Sequence, residues 1–354
     1  MMEHTQLEGD DRIAFSLGTK DQGDADGQFF FARGLAFDPH RGLLFVVDSC
    51  KQQVQVFSCG SGTDVSFVSK FGSVGAQLEQ LKYPTNVAID HDHDRILIAD
   101  SDNYRLQIRS LNDQSFLWCA GTYGRNEGEF RRPHCMGIDK HHHRIIVADT
   151  DNHRLVFLSS VDLSFLFSVG GQGSQSGELS YPIGIAVDHD RHRIIVSDTD
   201  NDRVQVLSLI DGSFLFEFGS HGNQPGQFNT PKGMCIDNQG RIIVADHFNV
   251  RLQAFTHEGH HISSFDCDRE CPYGVAFDEH RGLIAFSSGH RVHVIGANQW
   301  LADTFTWRPD RHRYAPSWMK QAVLTMTMIR SLVDEASAMS MIPNELLFEI
   351  FAYL

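Results

Sequence analysis

The sequence predicts an all-β fold, namely a six-bladed β-propeller of four-stranded blades followed by a short α-helical tail. The first observation is a repeat: RIIVADTDNHRLVFLS begins at Arg144, and RIIVSDTDNDRVQVLS begins 49 residues later, at Arg193. A period in the forties is typical of propeller blades or helical arrays. Four related segments begin at Arg41, Arg95, Arg241 and, in a shorter form, Arg281.

The pattern inside each repeat distinguishes between these two architectures. A short apolar run ending in Asp, such as GIAVD, is followed by RIIVAD-like, RVQVLS-like and Phe-rich SFLFEFG-like runs, with polar turns between them. Short β-branched or aromatic runs bounded by Gly, Asp and Asn predict strands. Four strands in each of six repeats predict a six-bladed propeller. Helical repeats are excluded because no ten-residue stretch in this region keeps a period of 3.6.

The propeller must also be closed, because an incomplete last blade leaves an open sheet edge. The segment RIAFSLG, residues 12–18, resembles the fourth strand of a blade but has no three strands before it. We therefore expect it to complete the sixth blade, so that the propeller spans residues 12–296. The alternative is that LADTFTW, residues 301–307, supplies this strand locally.

Some repeated residues are expected to support the blades rather than bind a ligand. Acidic and basic residues recur at a spacing of five, and Arg suits an ion pair because its donors form a fixed fork. We expect these pairs to tie the second and third strands together, or to tie neighbouring blades; a ring of ligand-binding charges is the alternative. The pairs are Asp100 and Arg105, Asp149 and Arg154, Asp198 and Arg203, and Asp246 and Arg251, with Ser288 replacing the Asp in the sixth repeat.

Glycines before the first strand of a repeat are expected to let the strands crowd near the propeller axis. They are Gly34, Gly137, Gly184, Gly233 and Gly274.

Charge and cysteine content limit the possible partners and compartments. Acidic residues outnumber basic ones by 45 to 30, which gives a net charge of −15. Such a field repels a polyanion such as RNA unless basic groups gather on one face. The seven cysteines form no CxxC pair and no secretory signal is evident, which favours reduced thiols in the cytoplasm, with the nucleus not excluded. No run approaches eighteen apolar residues, so no membrane span is predicted.

One repeat carries a family resemblance. The segment GQFNTPKGMCIDNQGRIIVADHFNVRLQAF contains a Gly-x-Phe loop, a Pro, a GxxxD strand, a strand ending in V-A-D and an N-x-R-x-Q run. It resembles an NHL repeat, and the predicted propeller is similar to those of tripartite-motif NHL proteins. The resemblance implies a recognition function, because those propellers bind proteins or single-stranded RNA. It does not imply a particular ligand.

The loops that join the blades, and the turns on the same face, are expected to bind the partner. Their basic and aromatic residues suit single-stranded RNA, yet Asp and Glu are at least as frequent there, and aromatic residues serve protein interfaces equally well. The mixed sign favours a protein partner, with RNA as the alternative. The candidate residues are Lys82, Tyr83, Tyr104, Tyr123, Arg125, Arg131, Arg132, Tyr181, Lys232, Phe248 and Tyr273.

Neither catalysis nor a metal or other cofactor is predicted. Six-bladed propellers similar to this one include lyases and calcium-dependent hydrolases, but here the expected axial triplets (LAF, VAI, MGI, IAV, MCI and VAF) are apolar. Cys135 and Cys235 lie within these strands and are expected to be buried. Histidines such as His141, His142 and His143 occupy turns of the opposite face, and turns that fan outward do not converge on one ion.

The C-terminal part is read as a linker at residues 297–316, a helix at 317–339 and a final segment at 341–354. This last segment, MIPNELLFEIFAYL, resembles the opening of an F-box, in which an apolar stripe helps dock the cullin-ligase adaptor. The resemblance implies substrate recognition for ubiquitin-dependent degradation. Only the first helix of an F-box is present, so either the chain is a fragment or the helix is a coincidence. The matching residues are Pro343, Leu347, Ile350, Phe351 and Leu354.

Overall fold

A computed structural model describes residues 13–19, 23, 25–60 and 65–301. Within them, six antiparallel sheets of four strands form a closed ring, which confirms the predicted all-β six-bladed propeller. In each blade we call the strands inner, second, third and outer. The inner strands of neighbouring blades contact one another all round the ring, so they line its axis. The predicted helices at 317–339 and 341–354, and all of the linker after Leu301, lie outside the described residues.

The strands follow the repeat closely. Blade 1 comprises Ala32–Asp38, Leu43–Asp48, Gln53–Cys59 and Val65–Phe71; blade 2 comprises Pro84–Asp90, Arg95–Asp100, Arg105–Ser110 and Phe116–Ala120. Blade 3 comprises Pro133–Asp139, Arg144–Asp149, Arg154–Ser159 and Phe165–Gly170; blade 4 comprises Pro182–Asp188, Arg193–Asp198, Arg203–Ser208 and Phe214–Phe218. Blade 5 comprises Pro231–Ile236, Ile242–Asp246, Arg251–Phe255 and His261–Asp266; blade 6 comprises Pro272–Asp278, Leu283–Ser288, Arg291–Gly296 and Ile13–Gly18.

A few short elements connect the blades. A parallel pair of two-residue strands, Thr122–Tyr123 and Glu129–Phe130, folds the loop between blades 2 and 3. An α-helix at Ala297–Leu301 follows blade 6. Single 3₁₀ turns follow strands at His91–His93, Ser101–Asn103, Thr150–Asn152 and Thr199–Asn201.

The hydrophobic core lies between the blades. Because successive residues of a strand point to opposite faces of the sheet, a second strand that is covered on both sides is apolar throughout. In blade 4, Ile195 packs toward blade 5 with Val244, whereas Ile194 packs toward blade 3 with Ile146. Each sheet is therefore held by both of its neighbours.

Blade 6 is completed by the N-terminal strand. Ile13–Gly18 pairs antiparallel with Arg291–Gly296, and Phe15 and Leu17 are buried against Val292 and Val294. The expectation for RIAFSLG is thereby confirmed. In the alternative segment, residues 302–307 lie outside the described residues. The N-terminal strand already occupies the outer position of blade 6.

Close approach at the axis explains four of the five glycines. A Cβ at Gly184 would lie 2.2 Å from the carbonyl oxygen of Lys232, and one at Gly274 would lie 2.1 Å from that of Arg33. A Cβ at Gly34 or Gly233 would likewise meet the backbone of the next blade. The fifth, Gly137, stands two positions further along its strand, where a Cβ would meet the side chains of Val187 and Ile185 in the inner strand of blade 4 instead of backbone.

Replacing Gly184 with alanine should lower the free energy of unfolding by about 1–3 kcal/mol, the usual range for overpacking. The reason is that the new methyl group meets backbone, which cannot rotate away. Urea denaturation would measure the change. Gly171→Ala is the control, because a Cβ at Gly171 meets nothing within 4 Å. An equal loss in both variants would contradict the close approach.

Candidate functional site

The four predicted acidic and basic pairs form ion pairs inside their blades. In blade 4, Nε of Arg203 donates to Asp198 at 2.7 Å, and Nη2 donates to the carbonyl oxygens of Gln175 and Glu178 in the loop that enters the blade. The other carboxylate oxygen of Asp198 accepts from the backbone N–H of Ser180 at 2.6 Å. Each pair thus joins the second strand, the third strand and the entering loop. The equivalent distances are 2.8 Å for Asp100 and Arg105, 2.9 Å for Asp149 and Arg154, and 2.8 Å for Asp246 and Arg251.

A second set of ion pairs, which the sequence reading missed, ties neighbouring blades. In blade 3, Arg144 pairs with Asp139 at 2.7 Å and also donates to the carbonyl oxygen of Ile210 in blade 4 at 2.9 Å. In blade 4, Arg193 pairs with Asp188 and donates to the carbonyl oxygen of His257 in blade 5. The signal in the sequence was the Arg that opens the second strand in repeat after repeat.

Blade 6 replaces the repeated carboxylate by another one. Its second strand ends in Ser288, and Arg291 forms its ion pair with Glu270 of the entering loop instead. His293 links this carboxylate to the N-terminal strand: its Nε2 lies 3.2 Å from Glu270, and its Nδ1 lies 2.8 Å from the hydroxyl of Ser16. The closing blade therefore keeps the ion pair of blades 2–5, with the carboxylate supplied by the entering loop instead of the second strand.

We define the loop face as the loops that enter the inner strands together with the turns between second and third strands. Both meet at one end of each sheet, since the first residue of an inner strand pairs with the last residue of the second, as Pro182 does with Asp198. Three predicted aromatic residues are exposed there: Phe248, Tyr123 and Tyr181, with 60%, 56% and 40% of their surface accessible.

The other predicted residues of the loop face are partly occupied by contacts with one another. Tyr104 packs edge-on against Tyr123 at 4.8 Å between ring centroids, and the Tyr123 hydroxyl accepts from Nη2 of Arg131 at 2.9 Å. Arg132 is half-buried, 3.5 Å from Asp102. Exposed cations remain at Lys82, Arg125 and Arg131.

Acidic residues share this face, as the sequence predicted. Asp102, Asp151 and Asp200 occupy equivalent positions in the turns of blades 2, 3 and 4. Burial raises the pKa of both Asp151 and Asp200, and nearby Arg132 and His153 respectively oppose that rise. The loop face of blades 2–4 therefore carries acidic and basic residues side by side.

Tyr273 differs from the other predicted residues because it is buried, with 8% of its surface accessible. Its hydroxyl lies 2.8 Å from Nε2 of His134, on the opposite side of the ring, and accepts from Nη1 of Arg33 at 3.0 Å. Blades 6, 3 and 1 thus meet at the axis. Tyr273 closes the mouth of the axis rather than offering an open stacking surface.

Arg33 lies among three aromatic rings at this mouth. Its Cζ is 4.5 Å from the ring centroids of Tyr83 and of Tyr273, and 5.1 Å from that of Phe31. Its Nη2 donates to the Tyr83 hydroxyl at 2.5 Å. Lys232 reaches the same cluster, with Nζ 4.8 Å from the centroid of the Tyr273 ring. We call Arg33, Tyr83, Lys232 and Tyr273 the axial cluster.

The two cations and their partial burial set the protonation of the neighbouring groups. Burial, assisted by Arg33, lowers the pKa of Lys232 to about 8. Burial also lowers the pKa of His134 well below its ordinary value and that of His247 to about 4, and Arg33 and Lys232 act in the same direction on both. Both imidazoles are therefore neutral at pH 7, and Nε2 of His134 can accept a hydrogen bond from the hydroxyl of Tyr273.

The sequence reading missed Arg33, His134 and His247, and expected the axial positions to be apolar. That expectation was wrong at the mouth, because the apolar triplets pack between blades, as Leu35 does in the core. Four of the side chains that meet at the mouth belong to the second residue of an inner strand: Arg33, His134, Lys232 and Tyr273. Aligning the repeats at this position would have found these four, but not His247, which lies in the turn after a second strand.

The cysteines of the inner strands are at least half-buried, and histidines gather on the face opposite the loop face. Cys235 is buried and Cys135 is half-buried, and burial raises the pKa of Cys135 to about 11. On the opposite face, the rings of His141 and His189 lie 5.2 Å apart. Among the described residues, no three His, Cys, Asp or Glu side chains are arranged to hold a metal ion. The described part of the chain also has no helix long and apolar enough to cross a membrane, and the cytoplasmic location remains a prediction.

Replacing His247 with threonine should flatten the pH dependence of stability below neutrality. The pKa of His247 falls from about 6.5 to about 4 on folding, so stability present above pH 6.5 is lost as the pH falls toward 4, where only the unfolded chain binds the proton. Threonine preserves the blade contact, because Thr199 donates to the Pro231 carbonyl at 2.8 Å where His247 donates to that of Pro272 at 2.9 Å.

Urea denaturation between pH 7 and 4 would measure this change as about one proton fewer taken up on unfolding. His260→Thr is the control, because the side chain of His260 is 71% exposed. If the free energy of unfolding changes with pH equally in the unaltered chain and in His247→Thr, the neutral state of His247 in the folded protein is contradicted.

Comparison with known proteins agrees with this architecture. Residues 179–207 and 228–255 match the family model of the NHL repeat. Each match runs from the buried apolar residue of an entering loop, Leu179 or Phe228, to the third strand of blade 4 or 5. No curated protein sequence matches the chain significantly.

Solved structures share the fold at low sequence identity. A gluconolactonase from Xanthomonas campestris aligns with a TM-score of 0.57 and 15% identity, over 76% of this chain and 86% of that one. A protein of unknown function from Bacteroides thetaiotaomicron aligns with a TM-score of 0.57 and 15% identity, over 79% of this chain and 73% of that one. At this identity the likeness shows the fold alone.

Proposed function

Because the chain is a six-bladed propeller that carries NHL repeats, we propose that it is a protein-interaction module whose loop face binds a protein partner. The observation that carries the proposal is the set of exposed aromatic residues on the loop face, Tyr123, Tyr181 and Phe248. Aromatic side chains of this kind are enriched in protein interfaces, where they anchor the partner. The proposal assigns binding, and not catalysis, to this face.

The charges of the loop face favour a protein over single-stranded RNA. An RNA strand needs a continuous basic track for its phosphates, and stacking platforms along it. Here Asp102, Asp151 and Asp200 interrupt the basic residues in three consecutive blades, and Arg132 is engaged with Asp102. A protein surface can match alternating charges, whereas a polyanion is repelled by half of them.

The test is quantitative affinity purification from cells with the whole chain. The variant Tyr123→Ser, Tyr181→Ser, Phe248→Ser should lose most of the proteins recovered with the unaltered chain. The matched control is Val161→Ser, Ile210→Ser, since these residues are as exposed, at 67% and 64%, but lie in turns of the opposite end. Equal losses in both variants, or losses in neither, would contradict a partner on the loop face.

Ultraviolet crosslinking in the same cells separates the RNA alternative. We expect RNA recovery at background level. The opposite result is RNA recovery well above background that falls when Arg131, Arg132 and Lys232 are replaced by Glu. That result would contradict the protein partner and favour single-stranded RNA as the ligand of the loop face.

We further propose that the bound protein is a substrate presented to ubiquitin-ligase machinery through the cullin-ligase adaptor. This part rests on the F-box resemblance of residues 341–354, which lie outside the described residues. Deleting residues 341–354 should abolish capture of the adaptor while leaving partner binding by the loop face unchanged. Capture that survives the deletion would remove the ligase connection.

A further inference from the structure

The axial cluster holds two cations that have no anionic partner within the described residues. The guanidinium of Arg33 donates only to the hydroxyls of Tyr273 and Tyr83, and its Nε is buried without a hydrogen-bond partner. In the described part of the chain, Nζ of Lys232 makes neither a hydrogen bond nor an ion pair, and its described contact is the face of the Tyr273 ring at 4.8 Å. Buried and half-buried cations are usually paired.

The groups in contact with these two cations supply no counter-ion, and Asp200 influences Lys232 without forming an ion pair with it. His134 and His247 are neutral, Tyr273 and Tyr83 offer only neutral oxygens, and Arg132 is engaged with Asp102. Phenol oxygens are weaker acceptors than carboxylates for a charged donor. In contrast, the Arg of each repeated pair has a buried Asp, such as Arg203 with Asp198. Arg33 and Lys232 therefore stand apart from every repeated ion pair.

Both cations reach solvent at the mouth of the axis. Arg33, Tyr83 and Lys232 are half-buried, whereas Tyr273 beneath them is buried. Around the mouth stands Phe248, which is exposed, next to His247 with ring centroids 4.8 Å apart. The site thus combines two half-buried cations with aromatic rings at the loop-face end of the axis.

We propose that the axial cluster binds a single carboxylate of the partner, so that an acidic peptide segment is anchored at the mouth of the axis by Arg33 and Lys232. This inference rests on the proposed protein-binding function of the loop face. The carboxylate belongs to an acidic side chain or to a peptide C-terminus, which share this chemistry. A carboxylate would supply the anionic acceptor that both cations lack, and the phenol rings would cover the flanking apolar part of the segment.

The neighbouring acidic residues favour one carboxylate over a phosphate chain. Asp200 is near enough to Lys232 to oppose the lowering of its pKa, and Asp102 and Asp151 follow in the next turns. A group with one negative charge can occupy the basic side alone. A nucleic-acid strand would bring further phosphates against these three carboxylates.

The experiment is selection of phage-displayed random linear peptides on the whole chain, followed by fluorescence anisotropy with a selected peptide. We expect the selected peptides to share an Asp or Glu, or to require a free C-terminus. Comparing each peptide with a free and with an amidated C-terminus distinguishes these two sources of the carboxylate. Lys232→Gln should weaken binding about tenfold, and replacing the peptide carboxylate by its amide should weaken it equally. The Lys232→Gln variant should bind the peptide with the amide as tightly as the peptide with the carboxylate. The reason is that the substitution in the protein and the change in the peptide remove the same interaction.

Two further variants keep the test decisive. Arg33→Gln removes the second cation but also two hydrogen bonds of the cluster, so Lys232→Gln, which removes none in the described residues, carries the conclusion. Lys140→Gln is the matched control, because Lys140 is exposed in a turn of the opposite face and the change in net charge is the same.

The outcomes separate the anchor from the binding face. Selected peptides without a carboxylate, or bound equally by Lys232→Gln, would overturn the carboxylate site and leave protein binding by the loop face intact. If no peptide is selected, both the carboxylate site and protein binding by the loop face are contradicted. Competition by inorganic phosphate or a short oligouridylate that is lost in Lys232→Gln would overturn the carboxylate in favour of phosphate chemistry.

Discussion

Replacing Asp198 with alanine should lower the free energy of unfolding by about 3–5 kcal/mol, the range for removing one partner of a buried ion pair. The carboxylate of Asp198 is fully buried and accepts from Arg203, from the amide of Asn201 and from the backbone of Ser180. Its loss leaves the Arg203 guanidinium without its buried counter-ion, so that only the more exposed Glu217, 2.8 Å from Nη1, remains as a carboxylate partner. Urea denaturation at pH 7 would measure the loss.

Asp190→Ala is the control for this variant. Asp190 lies in the exposed turn between the inner and second strands of the same blade, so the same change in composition should leave unfolding nearly unaffected. If the two variants unfold alike, the repeated pairs do not support the blades, and the alternative of ligand-binding charges returns.

Deleting residues 1–18 should open the propeller and lower the free energy of unfolding by about 4 kcal/mol or more. The deletion removes the outer strand of blade 6 and the burial of Phe15 and Leu17, each worth about 1.5–3 kcal/mol. It also exposes the edge of Arg291–Gly296, which invites association of chains. Thermal unfolding with light scattering would measure both effects.

A synthetic peptide of residues 12–19 should restore part of this stability when added in trans. The same peptide with Phe15 and Leu17 replaced by serine should not, because it can form the strand hydrogen bonds but not the buried contacts. Unaltered melting of the shortened chain would show that another segment, such as residues 301–307, closes the ring.

The fold followed from the sequence because every blade repeats the same local pattern. Strand order, turn positions and ion-pair spacing lie within one repeat, as Asp198 and Arg203 do, and neighbours in sequence are neighbours in the sheet. The closing strand was also predictable, since Ile13–Gly18 has the pattern of a strand without a blade. Gly137 shows the limit: two positions further along its strand, a glycine approaches side chains of the next inner strand instead of its backbone.

The candidate site was predictable only in its outer part. Residues such as Tyr123 and Phe248 lie in polar loops and turns between strands, which are the usual place for binding residues. The axial cluster was not predicted, because its members are contributed by different blades. Tyr273 and His134 are 139 positions apart, and Tyr273 and Arg33 are 240 apart. No local pattern reveals such a meeting.

By itself, the sequence determined the number of blades, the strands within them and the face that carries the loops, because these depend on periodicity, turn residues and alternation within short segments. The tertiary structure decided which side chains meet when the ring closes: Glu270 in place of the Asp missing at Ser288, Tyr273 against His134, and Arg33 beside Lys232. The physical reason is that closure brings opposite blades together at the axis, where charge, burial and hydrogen bonding depend on distances that no single repeat contains.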